Sequence, residues 1–574
     1  MTNRTHHLST ASVFALATAF LLAACHSEKD LSENKTPPPE PMAEAEADVS
    51  LDQAAPTTGI AEPGFHRGQA KIVTAQSEAF GGVMAPPPRN TERYEDVDPN
   101  PVKIVQNDPV STFSVDVDTA SYGVMRRYLN GGTLPPRDSV RVEEYINYFN
   151  YAYELPAAKD QPFKPSVSVF PSPWNEHTQI MHVGIKGFDI SPVERPDLNL
   201  VLLLDVSGSM NAANKLPLLK KSMRLLVDEL NENDTVSIVV YAGAAGTVLE
   251  PTKGNEKSKI LAALDKLSAG GSTAGAEGIR QAYQLAEANM KEDGVNRVML
   301  ATDGDFNVGI ADPERLEDFV SEKRDTGVFL SVLGFGGSNY NDVMMQKMAQ
   351  AGNGNAAYID TLNEARKVLV DEVSSTLFPI AKDVKIQVEF NPTQVAEYRL
   401  IGYETRILNR TDFNNDKVDA GDIGSGHSVT ALYEITPAGS AGQLSDPLRY
   451  GDNTATGDTQ TSDELAFLRI RYKLPEEDTS KLIERAVTKQ DVFESLRATS
   501  TDVQFATAVA GFGQMLDGGE HLKSIDYDTL IEMAQASKGD DPFGYRSEFL
   551  QLVRLAKSAA ALPTLESPTP TVSQ

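Results

Sequence analysis

Three short segments concentrate side-chain oxygens at turns. They are Asp205-Val206-Ser207-Gly208-Ser209-Met210, a Gly-Gly-Ser-Thr turn ending at Thr273, and Thr302-Asp303-Gly304-Asp305. Carboxylates and hydroxyls without sulfur or imidazole are hard donors that suit Mg²⁺ or Mn²⁺, ions preferring oxygen ligands. Gly208 lets the chain turn tightly between the two serines. Two carboxylates and three neutral hydroxyls would leave such an ion open to a further carboxylate from outside. The competing reading is helix capping, since Ser and Asp also begin helices after strands. Asp-x-Ser-x-Ser alone supports both readings equally. All three segments within one alternating strand–helix region favour the ion. Asp305 and Asn307 stand at the rim.

Covalent chemistry is poorly served. Ser207 lies in Val-Ser-Gly-Ser rather than in a Gly-x-Ser-x-Gly elbow, and no His follows in hydrolase order. Of 8 histidines, only His177, His182, His427 and His521 fall beyond the first stretch of the chain, each reading as a surface or packing residue. A bound ion can activate water, but neither a second ligand set nor a base accompanies it. The chain reads as a binding protein, not an enzyme.

The elements that must position these oxygens follow from periodicity. Leu198 to Leu204 is a near-continuous apolar run, the pattern of a strand buried on both faces of a parallel sheet. Leu219, Met223, Leu226, Val227 and Leu230 form one helical stripe, with Pro217 in the first turn. Further strands are predicted at Val236 to Tyr241, Arg297 to Ala301, Val328 to Gly334 and Ala356 to Ile359. Helices are predicted at Glu256 to Leu267, Gly275 to Met290, Pro313 to Arg324 and Asp342 to Ala351, with Leu362 to Ile380 closing the series. Alternation of this kind implies a doubly wound, Rossmann-like α/β domain with a mainly parallel sheet and ligands at the carboxyl ends of its strands.

Asp-x-Ser-x-Ser, a loop threonine and Thr-Asp-Gly, in that order, resemble the metal-ion-dependent adhesion site (MIDAS) of von Willebrand factor A (VWA) domains. The resemblance implies that Asp205, Ser207, Ser209, Thr273 and Asp303 surround one divalent ion, Mg²⁺ with Mn²⁺ or Ca²⁺ as alternatives. It also implies, from integrin-type domains, a last helix at Leu362 to Ile380 that shifts when a ligand completes the metal shell.

The single cysteine excludes an intramolecular disulfide and any multi-thiolate zinc site. It ends an apolar run, Ala11 to Ala24, that is short for a membrane span and is preceded by Arg4. Leu22-Ala23-Ala24-Cys25 resembles the lipobox of bacterial lipoproteins, in which the cysteine becomes the acylated first residue. His26 after it, rather than Asp, favours the outer membrane by analogy with Gram-negative sorting. Membrane attachment would then come through acyl chains at Cys25, each buried CH₂ contributing about 0.8 kcal/mol. Residues 26–105 carry Pro37-Pro38-Pro39, an Ala/Glu run and Pro86-Pro87-Pro88 without apolar periodicity, the composition of a tether. With 81 Asp+Glu against 52 Lys+Arg, the net charge of −29 argues against nucleic-acid partners and polybasic membrane patches.

The flanks read as α+β. Asp116-Val117-Asp118-Thr119-Ala120 resembles the haloacid-dehalogenase phosphatase motif but departs at Ala120, so Asp118 or Thr119 is expected to cap the following helix. A second helix is expected from Asp138 to Phe149, and strands at Ser166 to Phe170 and Gln179 to Ile185. Downstream, Val384 to Phe390, Val395 to Ile401, Ser428 to Ile435 and Leu465 to Tyr472 read as strands. Asp412-Phe413-Asn414-Asn415-Asp416 starts like a calcium loop, but Lys417 and Ile423 replace its Gly and Glu, leaving a solvated turn. Helices are expected at Ser480 to Val487, Asp491 to Ala498, Asp502 to Leu516, Tyr527 to Ala536 and Tyr545 to Ala560.

The runs from Phe113 to Tyr122, Val140 to Phe149, Tyr398 to Glu404 and Gly426 to Glu434 resemble the YfbK-type VWA lipoprotein family over about Asp108 to Ala556. The expected division is a signal peptide (1–24), a disordered acylated tether (25–106), an N-terminal flank (107–195), the VWA domain (196–382), a β-rich region (383–475), a helical region (476–561) and a disordered tail (562–574). The flanking strands are expected to form one β-rich unit into which the VWA domain is inserted. The functional expectation is a lipid-anchored envelope protein that binds an envelope or extracellular protein through a partner Asp or Glu on the ion. The alternatives are a structural assembly protein whose metal only orders loops and, more remotely, a metal-dependent hydrolase.

Overall fold

The computed structural model describes residues 90–156, 161–191, 194–272, 275–304, 313–337, 339–445 and 463–562, so Cys25, Thr273, Asp305 and Asn307 lie outside the described residues. Residues 90–106, expected to belong to the tether, are an ordered strap. Arg93 N–H donates to Tyr340 O at 3.0 Å, and Asp342 N–H donates to Arg93 O at 3.1 Å. Strand β1 (Lys103–Ile104) then pairs antiparallel at Tyr398 and Glu397. Backbone pairing of this kind needs no apolar periodicity, and composition therefore missed it. β2 (Val110–Ser114) is buried throughout and leads to α1 (Ala120–Asn130). The next helix, α2 (Val142–Asn147), is shorter than expected because a separate 3₁₀ turn occupies Arg137–Ser139. β3 (Phe163–Pro171) and β4 (Gln179–Gly187) pair antiparallel.

The central layer then begins. Along the chain come β5 (Leu198–Asp205), α3 (Leu216–Asp228), β6 (Thr235–Tyr241), β7 (Ala245–Lys253), α4 (Lys257–Asp265), α5 (Gly275–Ala288) and β8 (Val295–Thr302). They are followed by α6 (Pro313–Asp325), β9 (Val328–Phe335), α7 (Asp342–Ala351) and β10 (Ala356–Ile359). The six-stranded sheet runs β10-β9-β8-β5-β6-β7. All its pairs are parallel except β6 with β7. β7 was not anticipated: it is an edge strand with only two of its nine residues buried, so it carries little of the apolar signal that marks β5. Leu200, Leu202 and Leu204 pack with Leu219, Met223 and Leu226 of α3 on one face. Val201 and Leu203 pack with Ile279 and Ala282 of α5 and with Val124 of α1 on the other. Burying each such side chain contributes about 1.5–3 kcal/mol. This pins β5 centrally and fixes where Asp205 emerges.

The expected single helix from Leu362 to Ile380 is broken. α8 (Leu362–Arg366) continues through a π turn at Lys367–Asp371, and α9 (Val373–Leu377) follows. Phe378 is already extended at φ −115°, as a residue preceding proline prefers, and β11 (Pro379–Phe390) starts there.

Strands β12 (Val395–Ile401), β13 (Ile423–Gly424), β14 (Ser428–Pro437), β15 (Glu464–Lys473) and β16 (Lys481–Thr488) complete two antiparallel sheets. β14 pairs with β4 from Ser428↔Lys186 to Ile435↔Gln179, and β2 pairs with β11. Strands before and after the α/β layer thus share both sheets, with the α/β layer inserted between them. β16 overturns the helix expected at Ser480 to Val487. Its Lys, Leu, Glu, Arg and Ala are good helix formers, but the ladder to β15 from Glu464↔Thr488 to Tyr472↔Lys481 prevails over propensity. At 491–498 only short 3₁₀ turns form, Lys489–Asp491 and Leu496–Ala498. The last helices, α10 (Thr501–Leu516), α11 (Tyr527–Ala536) and α12 (Tyr545–Ala561), bury Phe505, Phe512 and Phe549 against Tyr122, Phe149 and Trp174.

Candidate metal centre

β5 delivers Asp205 to the carboxyl edge of the sheet, where it is fully buried. Its Oδ1 accepts the Ser207 backbone N–H at 2.8 Å, and its Oδ2 accepts the Thr302 hydroxyl at 3.2 Å. The loop after β5 is fastened on both sides: Val206 N–H donates to Tyr241 O at 3.1 Å, and Gly208 N–H to Gly271 O at 3.1 Å. The Ser207 and Ser209 hydroxyls lie 3.0 Å apart. Asp303, also fully buried, follows β8 directly. Beside it Gly304 takes φ +97°, and a Cβ there would stand 2.6 Å from Asn341 N, so only glycine fits.

The structure therefore brings Asp205, Ser207, Ser209 and Asp303 to neighbouring strand ends. Thr273 lies outside the described residues, while its neighbouring turn packs on the serine loop, Gly270 N–H donating to Val206 O at 2.8 Å. Burial, partly offset by hydrogen bonds from Ser207 and reinforced by the Asp303 charge, pushes the Asp205 carboxyl up to about 6. A carboxylate held there at neutral pH calls for a nearby cation. Two carboxylates and two hydroxyls at adjoining turns suit a hard divalent ion, and on that chemistry the donor set fits Mg²⁺. Among the described residues, no group of three or more His, Cys, Asp or Glu that could hold a metal ion occurs, and this centre brings together only two carboxylates.

Several residues of the centre escaped the sequence. Thr302 bridges, donating to Asp205 and accepting from Gly304 N–H at 3.2 Å. Lys215 donates to Asp303 Oδ2 at 2.7 Å and to Asn339 Oδ1 at 3.2 Å. Only the Thr-Asp-Gly motif hinted at Thr302; a lysine beside a helix start carries no signal.

The competing motifs resolve otherwise. Arg406 Nε donates to Asp116 Oδ2 and its Nη2 to Asp118 Oδ2, both at 2.9 Å. Asp118 Oδ1 accepts Ala356 N–H at 2.7 Å. Neither Asp118 nor Thr119 caps α1: Thr119 is the N-cap residue but makes no side-chain cap bond. An arginine supplied from elsewhere in the chain claims both aspartates instead. In the calcium-like loop, the Lys385 ammonium donates to Asn415 O at 2.7 Å and Arg471 Nη2 to Asp416 Oδ1 at 2.9 Å. Protein cations thus occupy the oxygens a calcium ion would need. His182 and His427 are buried, with His182 Nε2 2.9 Å from the Tyr153 hydroxyl, and neither is at the metal centre. Among the described residues no helix is long and apolar enough to cross a membrane.

Family models match three stretches: "von Willebrand factor" over residues 88–182, "von Willebrand factor type A domain" over 199–371, and "Uncharacterized protein YfbK, C-terminal" over 375–559. The YfbK protein of Escherichia coli (strain K12) is 47% identical over 472 residues, 81% of this chain and 81% of its own. The protein sll0103 of Synechocystis sp. is 33% identical over 171 residues, covering 30% of this chain and 40% of that one. A solved structure, the von Willebrand factor type A protein from Catenulispora acidiphila, aligns with a TM-score of 0.40 at 13% identity, over 71% of this chain and 91% of that one. With VWA and YfbK models matching along the chain and 47% identity to E. coli YfbK across the 472 aligned residues, this protein belongs to the YfbK-type family of bacterial VWA-domain proteins.

Proposed function

We propose that this protein is a lipid-anchored envelope module that binds one divalent cation and uses it to take up a carboxylate of a protein partner. The observation that carries the reading is the convergence of buried Asp205 and Asp303 with the Ser207 and Ser209 hydroxyls at adjoining strand ends. Those four side chains would hold the ion, and Thr273 would add a fifth oxygen. When bound, the ion supplies Lewis acidity toward an incoming carboxylate. Ser207 and Thr302 hold the Asp205 carboxylate in position through its two oxygens. VWA domains are typically interaction modules, which supports a binding role. Acylation at Cys25 would place the module at a membrane surface, with the outer membrane favoured.

Calorimetric titration of the full chain with Mg²⁺ and Mn²⁺ tests the reading. One-to-one binding is expected in wild type and abolished in Asp205→Ala, with the circular dichroism spectrum retained. Mg²⁺-dependent, EDTA-reversible capture of a partner by wild type but not by Asp205→Ala is the second arm. Identical ion binding in both chains, or capture indifferent to EDTA, would count against it.

A further inference from the structure

The Asp303 carboxylate already faces a protein cation. Lys215 stands just before α3, its backbone N–H donating to Ala212 O at 3.0 Å. Its side chain is only 10% exposed, and its ammonium reaches Asp303 Oδ2 at 2.7 Å and Asn339 Oδ1 at 3.2 Å. The stem is threaded past Gly336, which takes φ +88°. A Cβ on Gly336 would lie 2.4 Å from Lys215 Cε and 2.8 Å from its Cγ. Lysine ammonium groups ordinarily reach for water, whereas this one is drawn inward along a channel that a glycine leaves open. Burying an ammonium is costly unless it is paired. Asp303 meets that cost, and the pair leaves the two buried carboxylates with a net charge nearer −1 than −2.

We propose that Lys215 is a resident counter-cation of the metal centre: its ammonium neutralises Asp303 when the ion is absent, and ammonium and divalent ion compete for that carboxylate. The inference rests on the reading that the centre takes a divalent ion, and it adds how that ion is received. Loading requires the ammonium to release Asp303 or to endure a divalent charge beside it, and either weakens binding. The metal-free protein, in turn, stays folded. The second partner of Lys215, Asn339, precedes Tyr340, whose carbonyl holds Arg93 of the strap. Displacement of the ammonium is thus felt where the strap of residues 90–106 is fastened.

The test measures Mn²⁺ and Mg²⁺ affinity of the full chain by calorimetry and by the electron paramagnetic resonance of free Mn²⁺. Wild type is compared with Lys215→Met, Lys215→Gln, Lys215→Arg and Asp205→Ala. Removing a unit positive charge from a largely buried site is expected to tighten Mn²⁺ binding at least about tenfold in both neutral variants, and not in Lys215→Arg. In EDTA the neutral variants should melt below wild type, and saturating Mn²⁺ should reverse that order. Equal or weaker Mn²⁺ binding by folded Lys215→Met and Lys215→Gln, with wild type binding normally, overturns the proposal, because Lys215 would then only orient Asp303. Binding in the neutral variants but not in wild type would support it in its strongest form. Should neither wild type nor any Lys215 variant bind Mn²⁺, the divalent-ion reading itself fails and the proposal falls with it.

Discussion

Replacing Arg126 with methionine should be among the most damaging single changes in this protein. Arg126 lies on α1 with no exposed side-chain surface. Its Nε donates to Asp360 Oδ2 at 2.9 Å and its Nη2 to Asp360 Oδ1 at 2.5 Å. Nη2 also reaches Glu364 at 2.8 Å, while Nη1 reaches the Tyr148 hydroxyl at 3.0 Å and Glu548 at 3.1 Å. One guanidinium therefore joins the end of β10, α8, α2 and α12. Glu364 is fully buried and Asp360 is 6% exposed, so Arg126→Met leaves two carboxylates without their cation in low dielectric. Breaking a buried pair in this way costs about 3–5 kcal/mol, a large fraction of the 5–15 kcal/mol that typically holds a domain together. Burial already pushes the Asp360 carboxyl up against the pull of Arg126. Without the arginine it rises further, so the deficit should shrink as pH falls and the carboxyls take up protons. Urea unfolding followed by fluorescence of the sole tryptophan, Trp174, which is fully buried in the cluster α1 joins, reports the loss. Arg126→Met with Asp360→Asn and Glu364→Gln should recover at least half of it, since the stranded charges are gone. A loss below about 1 kcal/mol, the size of an exposed pair, or no recovery in the triple variant, would refute the argument.

Two further outcomes follow from single sites. Burial holds His182 down at about 4 and His427 at about 3, so both must remain neutral in the folded protein while the unfolded chain protonates near 6.5. Their contribution is complete above about pH 6.5 and lost as pH falls toward those values. His182→Gln should therefore flatten the acid limb of stability by about 1.4 kcal/mol per pH unit between roughly pH 6 and 4.5 in urea titrations. An unchanged slope would mean that His182 is hydrated. At Gly354 a Cβ would stand 1.8 Å from the Leu330 carbonyl oxygen, whereas at Gly246 it would meet nothing within 4 Å. Gly354→Ala should cost at least about 2 kcal/mol, and Gly246→Ala should be neutral or stabilise by up to about 1 kcal/mol. Equal melting temperatures for the two variants would contradict that packing.

What the sequence displayed, and what it concealed, divides along physical lines. β5 was legible because burial on both faces writes a continuous apolar run, and the Asp-x-Ser-x-Ser and Thr-Asp-Gly turns stood out because tight turns admit few residue types. β7 and β16 were concealed because edge strands need not be apolar, and β16 is built from residues that favour helices in isolation. The insertion was inferred only from strands on either side of the α/β layer; its register, Val183 opposite Ala431, is a long-range pairing that no local window contains. The capping role expected of Asp118 or Thr119 failed for the same reason, since Arg406, which pairs with Asp116 and Asp118, arrives from the far side of the insertion. Lys215 was invisible for a different reason. A lysine beside a helix start is ordinary, and only the path opened by Gly336 turns it inward.

That architecture bears on the shift of the last helix implied by resemblance to integrin-type domains. In this chain the segment after β10 does not end freely. α8 is tied to α1 through Arg126 and Glu364, the Lys367 ammonium stacks 4.3 Å above the Tyr148 ring and pairs with Glu372, and α9 runs directly into β11 of the flanking sheet. Sliding α8 along its axis would break the Arg126 cluster, at the cost of about 3–5 kcal/mol derived above. Coupling free energies between ligand sites are typically about 1–3 kcal/mol. An ion or carboxylate ligand supplying energy of that size cannot move the segment while the flanking helices hold it. Any response to a bound ion must then bypass the Arg126 cluster. The stretch bearing Asn339 and Tyr340 offers such a route, joined to Lys215 on one side and to the Arg93 strap on the other.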